Sequence, residues 1–429
     1  MSQSKEQQFW DAAEKGDLSI VTKLAADPTL NINWQEPQGW TPFNIACYEG
    51  RLSVVQFLLT LSMVDVNKPT NTGITPFLVA CFNGSKEVVS LFLADARTNV
   101  NKPMNTEATP FFMACQSGHK EVVSLLLVDQ RVDVNKPMNT EATPFLMACF
   151  NGHKEVVSLL LADMRVDVNK ATNHGSTPFF MACQNGQQEV VSLLLADVRV
   201  DVNKSTNDLC TPFLIACQNG HKEVVSLLLV DSRIDDKKPN RNQASPLFVA
   251  SQNGQLSMVQ LLLASGREVN TRIKTIVSPD TWSNKTAAEM ARCQGTRAKE
   301  EDESDDDYLR RKQNGPLIAT LLDSFDLDPA TTSQRLRELP EFRDSFISDL
   351  FALVVFLCDD LLIPSAASTS AAFHKAARFF QITKRLPMEL QMMICNRAFG
   401  VGKDIVLTKH SEPAFKRLGR LPARSSFSH

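Results

Sequence analysis

The 429-residue chain lacks the short patterns that announce a chemistry. It has no phosphate-cradling glycine loop, no H-E-x-x-H and no G-x-S-x-G. Paired C-x-x-C ligand sets are missing too, which removes the usual zinc frameworks. The expectation is a chain that is not an enzyme and takes no cofactor. Charge of one sign is also lacking. The formal net charge is −3, and basic residues are interleaved with acidic ones, so nothing pulls the chain toward nucleic acid or an anionic membrane. No apolar run approaches the roughly 20 residues of a membrane span. The longest, Leu350 to Cys358, is flanked by Asp349, Asp359 and Asp360. The opening MSQSKEQQFWDAAEKGD lacks the apolar core of a signal peptide, so the expected location is the cytoplasm, with the nucleus as the other option.

What the chain has is repetition. Residues Asn101 to Val134 read NKPMNTEATPFFMACQSGHKEVVSLLLVDQRVDV, and Asn135 to Val168 repeat them with five substitutions. Thr-Pro recurs every 34 residues, at Thr41, Thr75, Thr109, Thr143, Thr177 and Thr211, and Ser245-Pro246 keeps the register. Thr109 is placed to cap a helix, with Pro110 at its first position. Phe111, Met113, Ala114 and Cys115 make that helix apolar, and Gly118 ends it. A second helix follows from Lys120 to about Val128, with Val122, Val123, Leu125, Leu126 and Leu127 at helical spacing. Arg131 to Thr140 then suits an extended loop with a turn at its tip. One such unit cannot bury its apolar face alone and needs copies on either side.

The pattern T-P-F-x-x-A-C-x-x-G-H-K-E-V-V-S-L-L-L resembles the ankyrin repeat over roughly residues 5 to 298. That resemblance implies an all-α solenoid of about eight to nine helix-turn-helix repeats with a separate helical C-terminal region. Three departures are visible. The family's His after T-P-L is replaced by Asn44, Leu78, Phe112, Leu146, Phe180, Leu214 and Phe248, so apolar packing must substitute for its polar link. The period is one residue longer than the usual 33, with the extra residue in the D-x-R-V-D-V-N link. The hairpin glycine is kept at Gly39, Gly73 and Gly175 but becomes Glu107, Glu141, Leu209 and Gln243 elsewhere, which predicts irregular tips on an unchanged fold.

Six of the ten cysteines, Cys47, Cys81, Cys115, Cys149, Cys183 and Cys217, hold one repeat position. Repeats stack about 10 Å apart. A disulfide needs Cα atoms within about 7 Å, so these are small buried residues in a reducing compartment. His119, His153 and His221 also recur with the period, which suits capping or exposure better than catalysis.

Taken in order, residues 5–38 read as a capping repeat built on Phe9, Trp10, Ala12 and Ala13. Residues 39–270 are the regular array, and 271–298 a degenerate last repeat whose helix Gly295 closes. Residues 299–307 are an acidic linker, whose run Glu300 to Asp307 can also be read as a solvated helix end, and Ser304 in it is either merely solvated or a phosphorylation site. Residues 308–364 form a helical unit with no repeat. Its Leu317, Ile318, Leu321 and Leu322 give one helix, Arg335 to Leu339 a short one, and Phe342 to Ile363 a strongly apolar one suited to packing or self-association. Residues 365–372 are a hinge, 373–420 a C-terminal helical unit and 421–429 a disordered tail.

In ankyrin-repeat proteins partner contacts gather on the first-helix ends and the hairpin tips, which line a concave face. Here the resemblance places Tyr48, Phe82, Asn83, Gln116, Ser117, Phe150, Asn151, Gln184, Asn185, Gln218 and Asn219 at helix ends, and His174 and Asp208 at tips. Tyr48, Phe82 and Phe150 are either aromatic anchors or rings folded onto the next repeat. Near the C-terminus, Arg385 to Ile394 (RLPMELQMMI) is similar to the opening of an F-box, L-P-x-E-L-x-x-x-I, with Leu386, Pro387, Leu390, Met393 and Ile394 as the adaptor-facing residues; the other reading is an ordinary amphipathic helix. The expected function is a scaffold binding a protein partner on the concave face; the alternative is a substrate receptor that recruits a ubiquitin-ligase adaptor.

Overall fold

The computed structural model describes residues 3–275 and 284–339. Among them all regular structure is helical, with nineteen helices and no strand. The segments 342–363, 365–372, 373–420 and 421–429, including the RLPMELQMMI stretch, lie outside the described residues. The chain divides into a first unit ending at Pro246 and a second beginning at Leu247.

The first unit is a run of helix pairs: α1 (Lys5–Lys15) and α2 (Leu18–Ala25), α3 (Pro42–Tyr48) and α4 (Leu52–Thr60), α5 (Pro76–Phe82) and α6 (Lys86–Ala94), α7 (Pro110–Ser117) and α8 (Lys120–Val128), α9 (Pro144–Asn151) and α10 (Lys154–Ala162), α11 (Pro178–Gln184) and α12 (Gln188–Ala196), α13 (Pro212–Asn219) and α14 (Lys222–Val230). First helices pack on first helices and second on second, in chain order. A helix of seven to nine residues is too short to persist alone, so each depends on its caps and its neighbours. The threonines supply the caps. The hydroxyl oxygens of Thr109 and Thr143 accept from the backbone N–H of Phe112 and Leu146 at 3.1 and 3.2 Å. Gly118, Gly152 and Gly220 end α7, α9 and α13 in the left-handed region, which lets the chain reverse into the second helix. Phe77, Phe111, Phe145, Phe179 and Phe213 fill the core with the paired valines of the second helices, such as Val122–Val123 and Val156–Val157. Burying each of these aromatic rings stabilises the stack by about 1.5–3 kcal/mol.

The residues standing in for the family's His pack as expected, with Phe112, Leu146, Leu78 and Leu214 fully buried. Asn44 is different. Its side chain completes a capping box with Thr41 and donates to the Ile74 carbonyl at 3.3 Å, so this repeat keeps a polar link.

The thirty-fourth residue has a structural use. In each D-x-R link the arginine folds onto its own aspartate and also reaches back to a second-helix end one repeat earlier. Arg131, Arg165 and Arg199 donate to the carbonyls of Leu93, Leu127 and Leu161 at 2.9, 2.7 and 2.6 Å. These are orphan carbonyls of a helix C-terminus, where a cation is also favoured by the helix dipole. The arginines hold the carboxyls of Asp95, Asp129, Asp163 and Asp197 below their usual value of 3.8, chiefly by side-chain hydrogen bonding.

Four residues on, one asparagine per repeat binds the next loop. Asn135 donates to the Arg165 carbonyl at 2.6 Å and accepts from the Asp167 N–H at 2.9 Å. Asn33, Asn67, Asn101, Asn169 and Asn203 make the same pair of bonds. The ladder stops where Lys237 stands at that position.

The second unit opens with α15 (Pro246–Gln252) and α16 (Leu256–Ala264), followed by α17 (Ala287–Thr296), α18 (Asp305–Leu327) and α19 (Pro329–Arg337). Two sequence expectations are corrected here and one choice is decided. Gly295 lies inside α17 instead of closing it; it and Gly315 let α17 and α18 cross closely, since a methyl group on Gly315 would fall 2.5 Å from the Ala291 carbonyl oxygen. Of the two readings of the acidic run, its end takes that of a solvated helix end: Ser304 caps α18, and Asp305, Asp306 and Asp307 form its first turn, where the helix dipole favours them. The short helix expected from Arg335 begins earlier, at Pro329, capped by Asp328.

Nor do the described residues from 308 onward stand apart from the repeats of this unit. Buried Arg311 pairs with Glu303 at 2.6 Å and donates to the Gln294 carbonyl. Asn314 donates to the Gly254 carbonyl at 2.8 Å, Ser333 to that of Leu263 at 2.9 Å and Arg337 to that of Ala264 at 2.8 Å. Helices α18 and α19 thus give α15 and α16 the donors that a following repeat would supply.

Candidate protein-interaction surface

Two rows of the first unit carry the residues singled out from sequence: the C-terminal ends of the first helices and the hairpin tips. At the helix ends the exposed rings are Tyr48, 47% exposed, and Phe82, 44% exposed. Tyr48 stacks edge-on against Trp40 with centroids 5.4 Å apart, which fixes its ring while leaving half of it in water. Phe150, the third aromatic of this row, is half-buried.

The polar helix-end residues do more internal work than their spacing suggests. Asn83, Asn151 and Asn219 donate side-chain N–H bonds to the carbonyls of Tyr48, Gln116 and Gln184 in the preceding repeat, at 2.7, 2.8 and 2.8 Å. Asn185 instead turns onto its own helix, at the Met181 carbonyl. Gln116, Ser117 and Gln184 are half-buried, and Gln218 is exposed.

The histidines belong to the same row. Each ring lies over the turn glycine of the preceding repeat and donates from Nε2 to a helix-end carbonyl. His119 reaches Phe82 at 2.7 Å; His153 and His221 reach Gln116 and Gln184 at 2.8 Å. Gln187 does the same to Phe150 at 3.0 Å, and Arg51 to Glu14 at 2.8 Å. Sequence reasoning missed this bond because its acceptor is a backbone atom 37 residues away. The usable signal is a polar residue copied at the first position after each turn glycine.

The tips are joined by main-chain bonds. The N–H of Asn105, Asn139 and Asn207 donates to Thr72, Thr106 and His174 of the tip before, at 3.0, 3.1 and 3.0 Å. Tips with glycine add a side-chain clamp: Asn71, Asn105 and Asn207 donate amides to Pro37, Asn71 and Asn173. Tips with Glu107 or Glu141 lose it, because a Cβ there would occupy the space of the following asparagine. The bond from Asn173 to Thr140 stretches to 3.5 Å. Glu107, Glu141, Leu209 and Gln243 all hold φ near +60°, so these tips keep the left-handed turn of Gly39, Gly73 and Gly175 and the expected irregularity is confined to the lost clamp. Both glutamates gain an ion pair with the next repeat, to Lys136 at 3.4 Å and Lys170 at 3.1 Å. His174 and Asp208 are exposed at their tips, and Asp208 pairs with Arg241 at 3.3 Å.

Among the described residues no group of three or more His, Cys, Asp or Glu side chains is placed to hold a metal ion. The six repeat cysteines are unpaired and buried, and burial pushes their thiols well up. What the rows offer is a rigid, backbone-pinned display of a few rings and tip side chains.

A family model described as ankyrin repeats (3 copies) matches residues 9–103, 45–138, 92–171, 111–206 and 198–273. A comparison with curated proteins found no match.

Proposed function

We propose that this chain, which belongs to the ankyrin-repeat family, is a non-enzymatic scaffold that binds a protein partner along its first-helix ends and hairpin tips. Ankyrin repeats are a protein–protein interaction domain. The observation that carries the reading is the exposure of Tyr48 and Phe82 on two consecutive repeats whose backbones are fixed by Asn83 and His119. Exposed, immobilised aromatics are the side chains that most often dominate binding energy. Six buried, unpaired thiols support a working site in a reducing compartment such as the cytoplasm.

The test is affinity capture from source-cell lysate with the full chain and with a Tyr48→Ala, Phe82→Ala double variant. A partner kept by the first and lost by the second supports the scaffold. Equal capture by both places recognition elsewhere. A ubiquitin-ligase adaptor among the captured proteins, lost in Leu390→Asp, would instead support the receptor alternative.

A further inference from the structure

Among the six junctions from Gly16 to Gly186, one departs from the others. At five junctions the residue after the turn glycine lies over the preceding repeat's turn. A methyl group built on Gly84, Gly118 or Gly186 would come within 2.5 Å of a histidine ring, that of His119, His153 or His221. Gln187 and Arg51 cover Gly152 and Gly16 in the same way. The position facing Gly50 is Ser85, which is too short: a methyl group on Gly50 would meet nothing within 4 Å. The Ser85 hydroxyl makes no capping bond either.

The acceptor that a ring there would use is in place. The Tyr48 carbonyl takes one side-chain bond, from Asn83 Nδ2 at 2.7 Å, and none from the position after the turn glycine. Its counterparts at Phe82, Gln116, Phe150 and Gln184 all take a bond from that position, and Gln116 and Gln184 take an asparagine amide as well. A carbonyl oxygen has two lone pairs, so the second direction on Tyr48 is available. At three of the five covered junctions the side chain that fills this place is a histidine, and at each of the three it bonds the helix-end carbonyl.

We propose that the notch over Gly50 receives a histidine side chain of a protein partner, with the imidazole N–H bonding the Tyr48 carbonyl. The exposed rings of Tyr48 and Phe82 stand on the helix ends that border this turn, so the partner loop carries apolar residues beside its histidine. The proposal rests on the scaffold reading above and names the chemistry of its partner.

The test is an amide NMR titration of the full chain at pH 8, with N-acetylhistidine methylamide as probe and N-acetylalanine methylamide as blank. In the wild type the Gly50 amide should shift at least threefold further with the histidine probe than with the blank. In Ser85→His, whose own ring fills the notch, that excess should vanish, and thermal stability should rise. Ser85→Gln, patterned on Gln187, gives the same readout should the histidine variant fail to fold. Equal shifts with both probes in the wild type, or an undiminished excess in the filled variants, would overturn the notch. Either result leaves lysate capture by the double aromatic variant to decide the scaffold on its own.

Discussion

The side chain of Asn135 spans two repeats, holding the Arg165 carbonyl at 2.6 Å while its oxygen takes the N–H of Asp167 at 2.9 Å. A single amide thus satisfies two backbone groups of the neighbouring loop. Each bond contributes about 0.5–1.5 kcal/mol net. Asn135→Ala should therefore cost about 1–3 kcal/mol in denaturant unfolding. The Asp167 amide should lose protection in hydrogen exchange, while the amide of Val123, deep in α8, should not. Unchanged exchange at Asp167 would refute the ladder's role.

Leu209 is held at φ 60° and is 45% exposed. The left-handed conformation costs a non-glycine residue about 1–2 kcal/mol. Glycine would remove that cost but returns about 0.5–1 kcal/mol through the unfolded chain. Leu209→Gly should raise stability by about 0.5–1 kcal/mol, read as a higher melting temperature. At Glu141 the same change should gain less, because it also breaks the pair with Lys170.

The D-x-R clamps give the array a signed response to acid. The carboxyls of Asp95, Asp129, Asp163 and Asp197 sit below 3.8 in the folded chain, so their contribution is complete above about pH 4 and fades as pH falls through the lowered values. Melting temperature should decline steeply below pH 4. Asp163→Asn should be less stable near neutrality and decline less steeply in acid. Parallel acid curves for the two proteins would rule out this linkage.

The repeat cysteines predict a chemical silence. Thiolate is the reactive form, and burial pushes these thiols upward. Native protein at pH 8 should resist iodoacetamide at Cys115 and Cys149 and react there only on unfolding. Cys210, partly exposed, is pushed up to about 11 by burial and the nearby Asp208, so it should react slowly. Cys149→Ser should cost less than about 1.5 kcal/mol. Ser251 already fills the equivalent position and bonds the Leu247 carbonyl at 2.8 Å.

What could be read from sequence was whatever is local and copied. Thr109, Pro110 and Gly118 mark one helix within ten residues, and the six cysteines announce a buried column by falling in register. The joints between repeats were opaque. Asn135, Arg165 and His153 find their partners 30 to 38 residues away, and those partners are main-chain atoms with no side chain to leave a pattern. Of the helix-end residues read as contacts, Asn83, Asn151 and Asn219 are engaged in such joints, and spacing cannot separate a joint from a contact. Gly295 was misread because a glycine that permits helix crossing looks, in one dimension, like one that ends a helix.

The helix-end bonds described above between one repeat and the next point one way. His119 caps Phe82, Arg131 caps Leu93, and Asn151 caps Gln116: the donor always belongs to the later repeat. On a ribosome, which delivers the N-terminal end first, a repeat's last carbonyls therefore stay hydrated until about one more repeat has emerged. The array matures with a lag of one unit, and its final pair would never be finished by its own kind. Arg337 and Ser333, which belong to no repeat, complete the end of α16.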